Sequence, residues 1–360
     1  MTTTISPSSG APTGPVGPPP PFDPELALSL PPLAELMPAT LRPEMIPGLR
    51  ARLAALRTSD EELRRGGAVE FEERRIPGPP GAPEVSLLVC RPAGVSWPRP
   101  AVYFCHGGGT ILGDNRNLIG EMLDWVRDLR IVLVSVEYRL APEHPYPAGA
   151  DDVYAGLSWT AEHAAELGVD PECLVVSGAS AGGGLAAGAV LRARDRGGPR
   201  IAGQLLACPM LDDHNDTASG RQMAGLGVWD RTSNDTGWTA LLGERRGGPD
   251  VPAYAAPARA TDLSGLPPAL LDVGSAETFR DEVVAFAARL WQAGGQAELH
   301  VWPGGFHGFD ALVPEAELSR AARTARVQWL RRLIGERSGD ADAQATAPLV
   351  THQPPDSFES

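Results

Sequence analysis

From about Val69 onward, apolar runs of strand length alternate with longer segments patterned for helix, and this alternation restricts the chain more than any other feature. Runs over 69–76, 85–91, 101–105, 131–138, 173–177, 201–208, 269–273 and 297–302 read as eight strands. Segments near 117–129, 150–167, 181–194, 280–293 and 315–334 fit as helices between them. The first two strands, separated by the turn-rich Pro77 to Pro83, can pair as an antiparallel edge. The later runs are mostly uninterrupted apolar stretches, which suits strands covered on both faces. The pattern predicts an α/β fold: a doubly wound, mostly parallel eight-stranded sheet with helices on both sides.

The rest of the chain is organised around this core. Residues 1–21 are rich in Pro, Gly, Ser and Thr, and residues 337–360 are similarly polar, so both are expected to be disordered tails. Between 22 and 65, apolar residues at helical spacing are broken by Pro31, Pro38, Pro43 and Pro47, which predicts a few short helices ahead of a domain spanning 66–336. From Met210 to Leu266 the rhythm fails, with many Gly, Asp and Thr residues and two tryptophans, Trp229 and Trp238. An inserted helical segment over the strand ends explains it.

Composition closes off several functions. The net charge of −14 and pI near 5.0 oppose nucleic acid and anionic membrane surfaces. All 31 basic residues are arginine, which excludes a Schiff-base lysine and a P-loop. The four cysteines, Cys90, Cys105, Cys173 and Cys208, lie in or beside strand-like runs without Cys-x-x-Cys spacing and read as buried free thiols of a reducing compartment. Neither a signal peptide nor a membrane span is legible in the sequence, so a cytoplasmic protein is expected. The seven histidines are scattered and no metal-ligand spacing is present, so no metal or cofactor is called for. The run Asp212-Asp213-His214 reads as a solvated loop rather than a metal site.

Chemistry concentrates in two glycine-rich stretches. Gly178-Ala179-Ser180-Ala181-Gly182 follows the strand-like Leu174-Val175-Val176 and opens a helix of small residues. Its letters alone are weak, since a chain this rich in glycine yields roughly 0.2 accidental matches. Its place between strand and helix is stronger, because a tight strand-to-helix turn exposes the serine oxygen and tolerates only small neighbours. His106-Gly107-Gly108-Gly109 follows the strand over 101–105, and its unobstructed backbone N–H groups, with that of Ala181, suit an oxyanion hole. His106 itself is expected to brace the loop.

A serine needs a base, and the base needs an orienting group. In such sheets the order is Ser, then acid, then His. His307, in the loop Gly304-Gly305-Phe306-His307-Gly308-Phe309 past the last strand, is the candidate base, while His300 lies inside a strand and reads as structural. Glu277, three residues past Gly274, is the candidate acid, with Asp281 next. Asp281 and Glu282 are explained by a helix first turn, and Asp272 by its strand.

Together, His106-Gly-Gly-Gly109, Tyr138-Arg-Leu-Ala-Pro-Glu-His-Pro-Tyr-Pro147, Gly178-Ala-Ser-Ala-Gly-Gly183, the stretch Gly274 to Glu282 and His307-Gly-Phe309 make the chain resemble the hormone-sensitive-lipase-like α/β-hydrolases, which include many bacterial carboxylesterases. The resemblance runs from about Arg91 to Arg332 and implies an α/β-hydrolase fold with a helical cap built from residues near 22–65 and about 210–252. It also implies Ser180 as nucleophile, His307 as base, and two of Gly107, Gly108 and Gly109 with Ala181 as oxyanion donors. Glu143 and His144 are then structural. Two departures are visible: Glu277 replaces the family's usual aspartate and must fold back to reach the imidazole, and Ala179 stands where aspartate is common. The expected activity is hydrolysis of small or short-to-medium acyl esters through an acyl-enzyme. A lactonase or amidase using the same triad, and a non-catalytic small-molecule receptor, are the alternatives. A homodimer is left open.

Overall fold

The computed structural model describes residues 16–338. The disorder expected for 1–21 and 337–360 falls largely outside those residues. Within 16–21 the chain runs as coil, and Gln222 Nε2 donates to the carbonyl of Pro18 at 3.0 Å.

Eight strands form one sheet: β1 (Val69–Ile76), β2 (Val85–Pro92), β3 (Arg99–Cys105), β4 (Val132–Glu137), β5 (Val169–Ala179), β6 (Gly203–Ala207), β7 (Ala269–Gly274) and β8 (Ala297–Trp302). Their order is β1-β2-β4-β3-β5-β6-β7-β8. The β1–β2 and β2–β4 pairs are antiparallel and the other pairs parallel, so the mostly parallel sheet with an antiparallel edge is as the sequence pattern predicts. Side chains alternate between faces. Leu87, Val89, Tyr103, Val134 and Val176 join the core under helices Ala148–Glu162, Ala181–Arg196 and Arg280–Gln292. Leu88, Cys90, Val102, Leu133 and Val175 join the opposite core, under Gly120–Asp128 and Glu317–Ser338.

Two strand limits differ from the sequence pattern in ways that matter for the site. β5 starts at Val169, because Val169 pairs with Arg99 across an irregular register before the regular ladder begins at Leu174. β6 stops at Ala207, because Cys208 turns into the left-handed region (φ 37°) and swings the chain across the end of the sheet.

Above the strand ends, the helix Arg231–Leu242 meets the N-terminal segment through hydrogen bonds. Leu41 N donates to Ser233 Oγ at 2.7 Å, Asp230 N to the Ala39 carbonyl at 3.1 Å, and Thr236 Oγ1 to the Leu41 carbonyl at 2.8 Å. A third apolar cluster joins Leu26 of the N-terminal helices to Val228, Phe306 and Phe309.

Candidate active site

The turn between β5 and the helix Ala181–Arg196 is steric in origin. Ser180 sits at φ 57°, ψ −123°, a conformation that L-residues adopt at a cost of about 1–3 kcal/mol when the surroundings hold them there. Here its N–H donates to the Ala207 carbonyl at 2.8 Å, and its own carbonyl accepts from Met210 N at 2.9 Å. A Cβ on Gly178 would overlap the Gly182 carbonyl, and one on Gly182 would overlap the Cys105 and His106 carbonyls. The glycines of the motif are therefore needed for packing.

Ser180, His307 and Glu277 come together. Ser180 Oγ is 2.9 Å from His307 Nε2, and His307 Nδ1 is 2.6 Å from Glu277 Oε2. All three are buried, with 7 % and 9 % of the serine and histidine surfaces left open and 1 % of the glutamate. The longer glutamate chain folds back because Phe279 N donates to its Oε1 at 3.0 Å, leaving Oε2 for the imidazole. The Phe279 ring stands edge-on to His307 at 5.1 Å. Glycines bring the two loops together: Gly274 and Gly305 touch so closely that a Cβ on Gly274 would overlap the Gly305 carbonyl. Ala276 N donates to that same carbonyl at 3.1 Å, and Gly304 N to Ser275 Oγ at 2.8 Å.

Burial alone would push the His307 imidazolium down. Cys208 and the Glu277 carboxylate on Nδ1 together override this and hold its pKa well above the ordinary 6.5. Cys208 lies beside the pair, its thiol pushed up by burial against the opposing pull of His307.

The glycine loop lies against the serine turn, since a Cβ on Gly107 would come 3.4 Å from Ser180 Cβ. Gly108 and Gly109 have φ of 116° and 62°, which favour glycine. Among the described residues, the N–H groups of Gly108, Gly109 and Ala181 donate to no protein group. His106 stacks on Tyr138 at 4.1 Å, its Nδ1 donates to the Gly107 carbonyl at 2.9 Å, and burial lowers its pKa to about 4. It is a neutral brace. Tyr138 Oη donates to the His106 carbonyl at 2.8 Å, which ties the stretch after β4 to the same loop.

The structure separates the remaining candidates from this centre. Asp281 accepts from Ser219 N at 2.7 Å and pairs with Arg280. His300 bonds Glu298 within β8, and Glu143 is an exposed partner of Arg50. Asp213 corrects the expectation of a solvated loop: it is fully buried, bonded to Arg259 at 2.7 Å and to Gly247 N at 2.6 Å, because the chain after it folds back over it.

Three contributors were missed by sequence reading. Arg50, from the N-terminal helices, donates to the Ile111 and Ala141 carbonyls at 2.7 Å and so braces the glycine loop. Trp229 packs its indole against Gly109 and lies 6.3 Å from the His307 ring. Cys208 is the third. Only the tryptophan gave a signal, as an aromatic inside an otherwise polar insertion.

A hydroxyl hydrogen-bonded to an imidazole that is itself oriented by a carboxylate, facing unoccupied N–H donors at a helix N-terminus, is an arrangement able to attack a carbonyl. The comparisons agree with this chemistry. A family model described as alpha/beta hydrolase fold matches residues 102–311. The carboxylesterase NlhH of Mycobacterium tuberculosis is 38 % identical over 278 residues, covering 74 % of this chain and 84 % of that protein. The esterase LipI of the same species is 35 % identical over 270 residues, covering 69 % and 83 %. Among solved structures, a bacterial heroin esterase superposes with a TM-score of 0.80 at 38 % identity, covering 87 % of this chain and 98 % of that one. Among the described residues no helix is long and apolar enough to cross a membrane. The chain belongs to the hormone-sensitive-lipase-like branch of the α/β-hydrolases and is a carboxylesterase.

Proposed function

We propose that this carboxylesterase cleaves small or short-to-medium acyl esters through a Ser180–His307–Glu277 triad and an acyl-enzyme. The observation that carries the reading is the unbroken hydrogen-bonded chain from Ser180 Oγ through both imidazole nitrogens to Glu277. Ser180 Oγ adds to the ester carbonyl as His307 Nε2 takes its proton, and the oxyanion is received by Ala181 N–H and two N–H groups of Gly107, Gly108 and Gly109. The tetrahedral intermediate collapses, the alcohol leaves with the proton from His307, and the acyl group stays on Ser180. Water, deprotonated by the same nitrogen, then attacks the acyl-enzyme and releases the acid. Glu277 orients the imidazole throughout and stabilises the imidazolium.

A modest acyl size is supported by the Trp229 indole pressed against Gly109, which narrows the space beside the oxyanion loop. The buried thiols of Cys90, Cys105 and Cys208, outside any disulfide, support a reducing, cytoplasmic setting.

The test is a series of p-nitrophenyl esters of graded acyl length, hydrolysed by the wild type and by Ser180→Ala. Turnover should be greatest on the shorter esters and fall by about a millionfold in the variant, as when a triad serine is removed. Full turnover by Ser180→Ala would remove the serine from the reaction.

A further inference from the structure

The geometry points to Arg326 as a positioning residue for the His307–Glu277 pair, holding the segments that carry the two side chains to one buried guanidinium. The inference rests on the triad reading given above. Arg326 lies on the helix Glu317–Ser338 and is 4 % exposed. Its Nε donates to Asp272 Oδ2 at 3.0 Å, and its Nη1 donates to Glu121 Oε2 at 2.8 Å and to Asp310 Oδ2. Asp272 belongs to β7, whose following turn bears Glu277, and Asp310 stands three residues past His307. Two further bonds to Asp272 join neighbouring segments: Trp302 Nε1, at the end of β8, donates to Oδ2 at 3.2 Å, and Cys208 N donates to the carbonyl at 2.7 Å. Glu121 sits on the helix Gly120–Asp128, which bears no triad residue.

This cluster is a costly way to hold a fold together. One cation faces two buried carboxylates, Asp272 and Asp310, and the partly buried Glu121, and such groups are often matched in stability by apolar side chains of similar volume. Asp272 Oδ1 and Glu121 Oε1 have no hydrogen-bond partner. Burial pushes Glu121 up to about 7 and raises Asp272 as well, against the pull of the guanidinium. At Asp310 burial acts in the same upward sense, but the guanidinium overrides it and holds that carboxyl below its ordinary range. Of the three carboxyls, the one on the His307 segment is thus held below its ordinary range while the other two are raised. Beneath that segment Cys208, Asp272, Phe306, Gly308, Asp310 and Arg326 come together and leave no space wide enough for a water molecule. No water is therefore able to replace a lost tether there. The charge cluster does the seating.

Two isosteric variants separate positioning from simple stability, because each replaces one carboxyl group on the same guanidinium with an amide of the same shape. Asp310→Asn should lower kcat roughly tenfold to a hundredfold, the scale of a small misplacement of a reacting group, with KM nearly unchanged. It should also shift or broaden the far-downfield proton resonance of the His307 Nδ1–Glu277 hydrogen bond. Glu121→Gln should leave both kcat and the resonance at wild-type values. Arg326→Gln should behave as Asp310→Asn does, with Arg326→Lys recovering part of the loss. If Arg326→Gln does not fold, the isosteric pair still decides. Equal losses in Asp310→Asn and Glu121→Gln, or an unmoved resonance in Asp310→Asn, would overturn the assignment. Failure of the triad reading shows separately, as turnover surviving in Ser180→Ala.

Discussion

Both oxygens of Glu277 are engaged by donors, the Phe279 N–H and His307 Nδ1. An amide in its place must turn an NH2 group toward one of them. Glu277→Gln is therefore expected to lower kcat by about 10³ to 10⁴ while keeping the fold, measured as steady-state ester hydrolysis with circular dichroism as the control. Asp281→Asn should stay close to wild type, since Asp281 spends its oxygens on Ser219 N and Arg280. The reverse pattern would move the acid to Asp281. The pH dependence follows from His307. Burial disfavours its charged form, but Cys208 and Glu277 hold the imidazolium to a higher pH than usual, and a protonated Nε2 cannot accept the serine proton. The acidic limb of kcat/KM should have its midpoint above 6.5, with activity lost as pH falls through it. A midpoint below 6.5 would contradict that environment.

At the scale of elements, the site depends on loops brought into contact by glycines. Gly274→Ala would drive the turn bearing Glu277 away from Gly305 in the His307 loop. It should lower thermal stability by about 1–3 kcal/mol, as overpacking does, and cut turnover more than KM, both readable on one purified variant. How far each element was legible follows from the range of its determinants. The turn at Ser180 was readable because strand, glycines and helix are contiguous, and the meeting of Glu277 with His307 because both lie on loops just past the ends of neighbouring strands. β6 ended a residue early because only the backbone turn at Cys208, held by a bond from its N–H to Asp272 of the neighbouring strand, reveals the break. Arg50 and Arg326 were invisible for the same reason. Arg50 meets Ile111 across 61 residues, and Arg326 meets Glu121 across 205, and no periodicity marks an arginine for such a partner.

The whole molecule is a sheet filled on both faces, with N-terminal helices laid over the loop of its histidine. Leu26 is fully buried in the cluster that contains Phe306 and Phe309, so Leu26→Ala should cost about 2–5 kcal/mol in a denaturant titration and loosen the segment next to His307. Partly buried carboxyls also shape the global pH response. Burial raises Glu121 and Glu137 from an ordinary 4.5 to about 7, so the fold favours their protonated forms. Stability from these two groups is full below 4.5 and is lost as pH rises toward 7. Replacing both with glutamine should flatten the fall in unfolding free energy across that window; an unchanged slope would mean they are not its source. The most direct check on the triad is covalent. Intact protein treated with an organophosphate ester should gain one phosphoryl mass, mapped by peptide sequencing to Ser180, and His307→Ala should suppress the labelling. Modification at another residue, or undiminished labelling without His307, would contradict a serine activated by that imidazole.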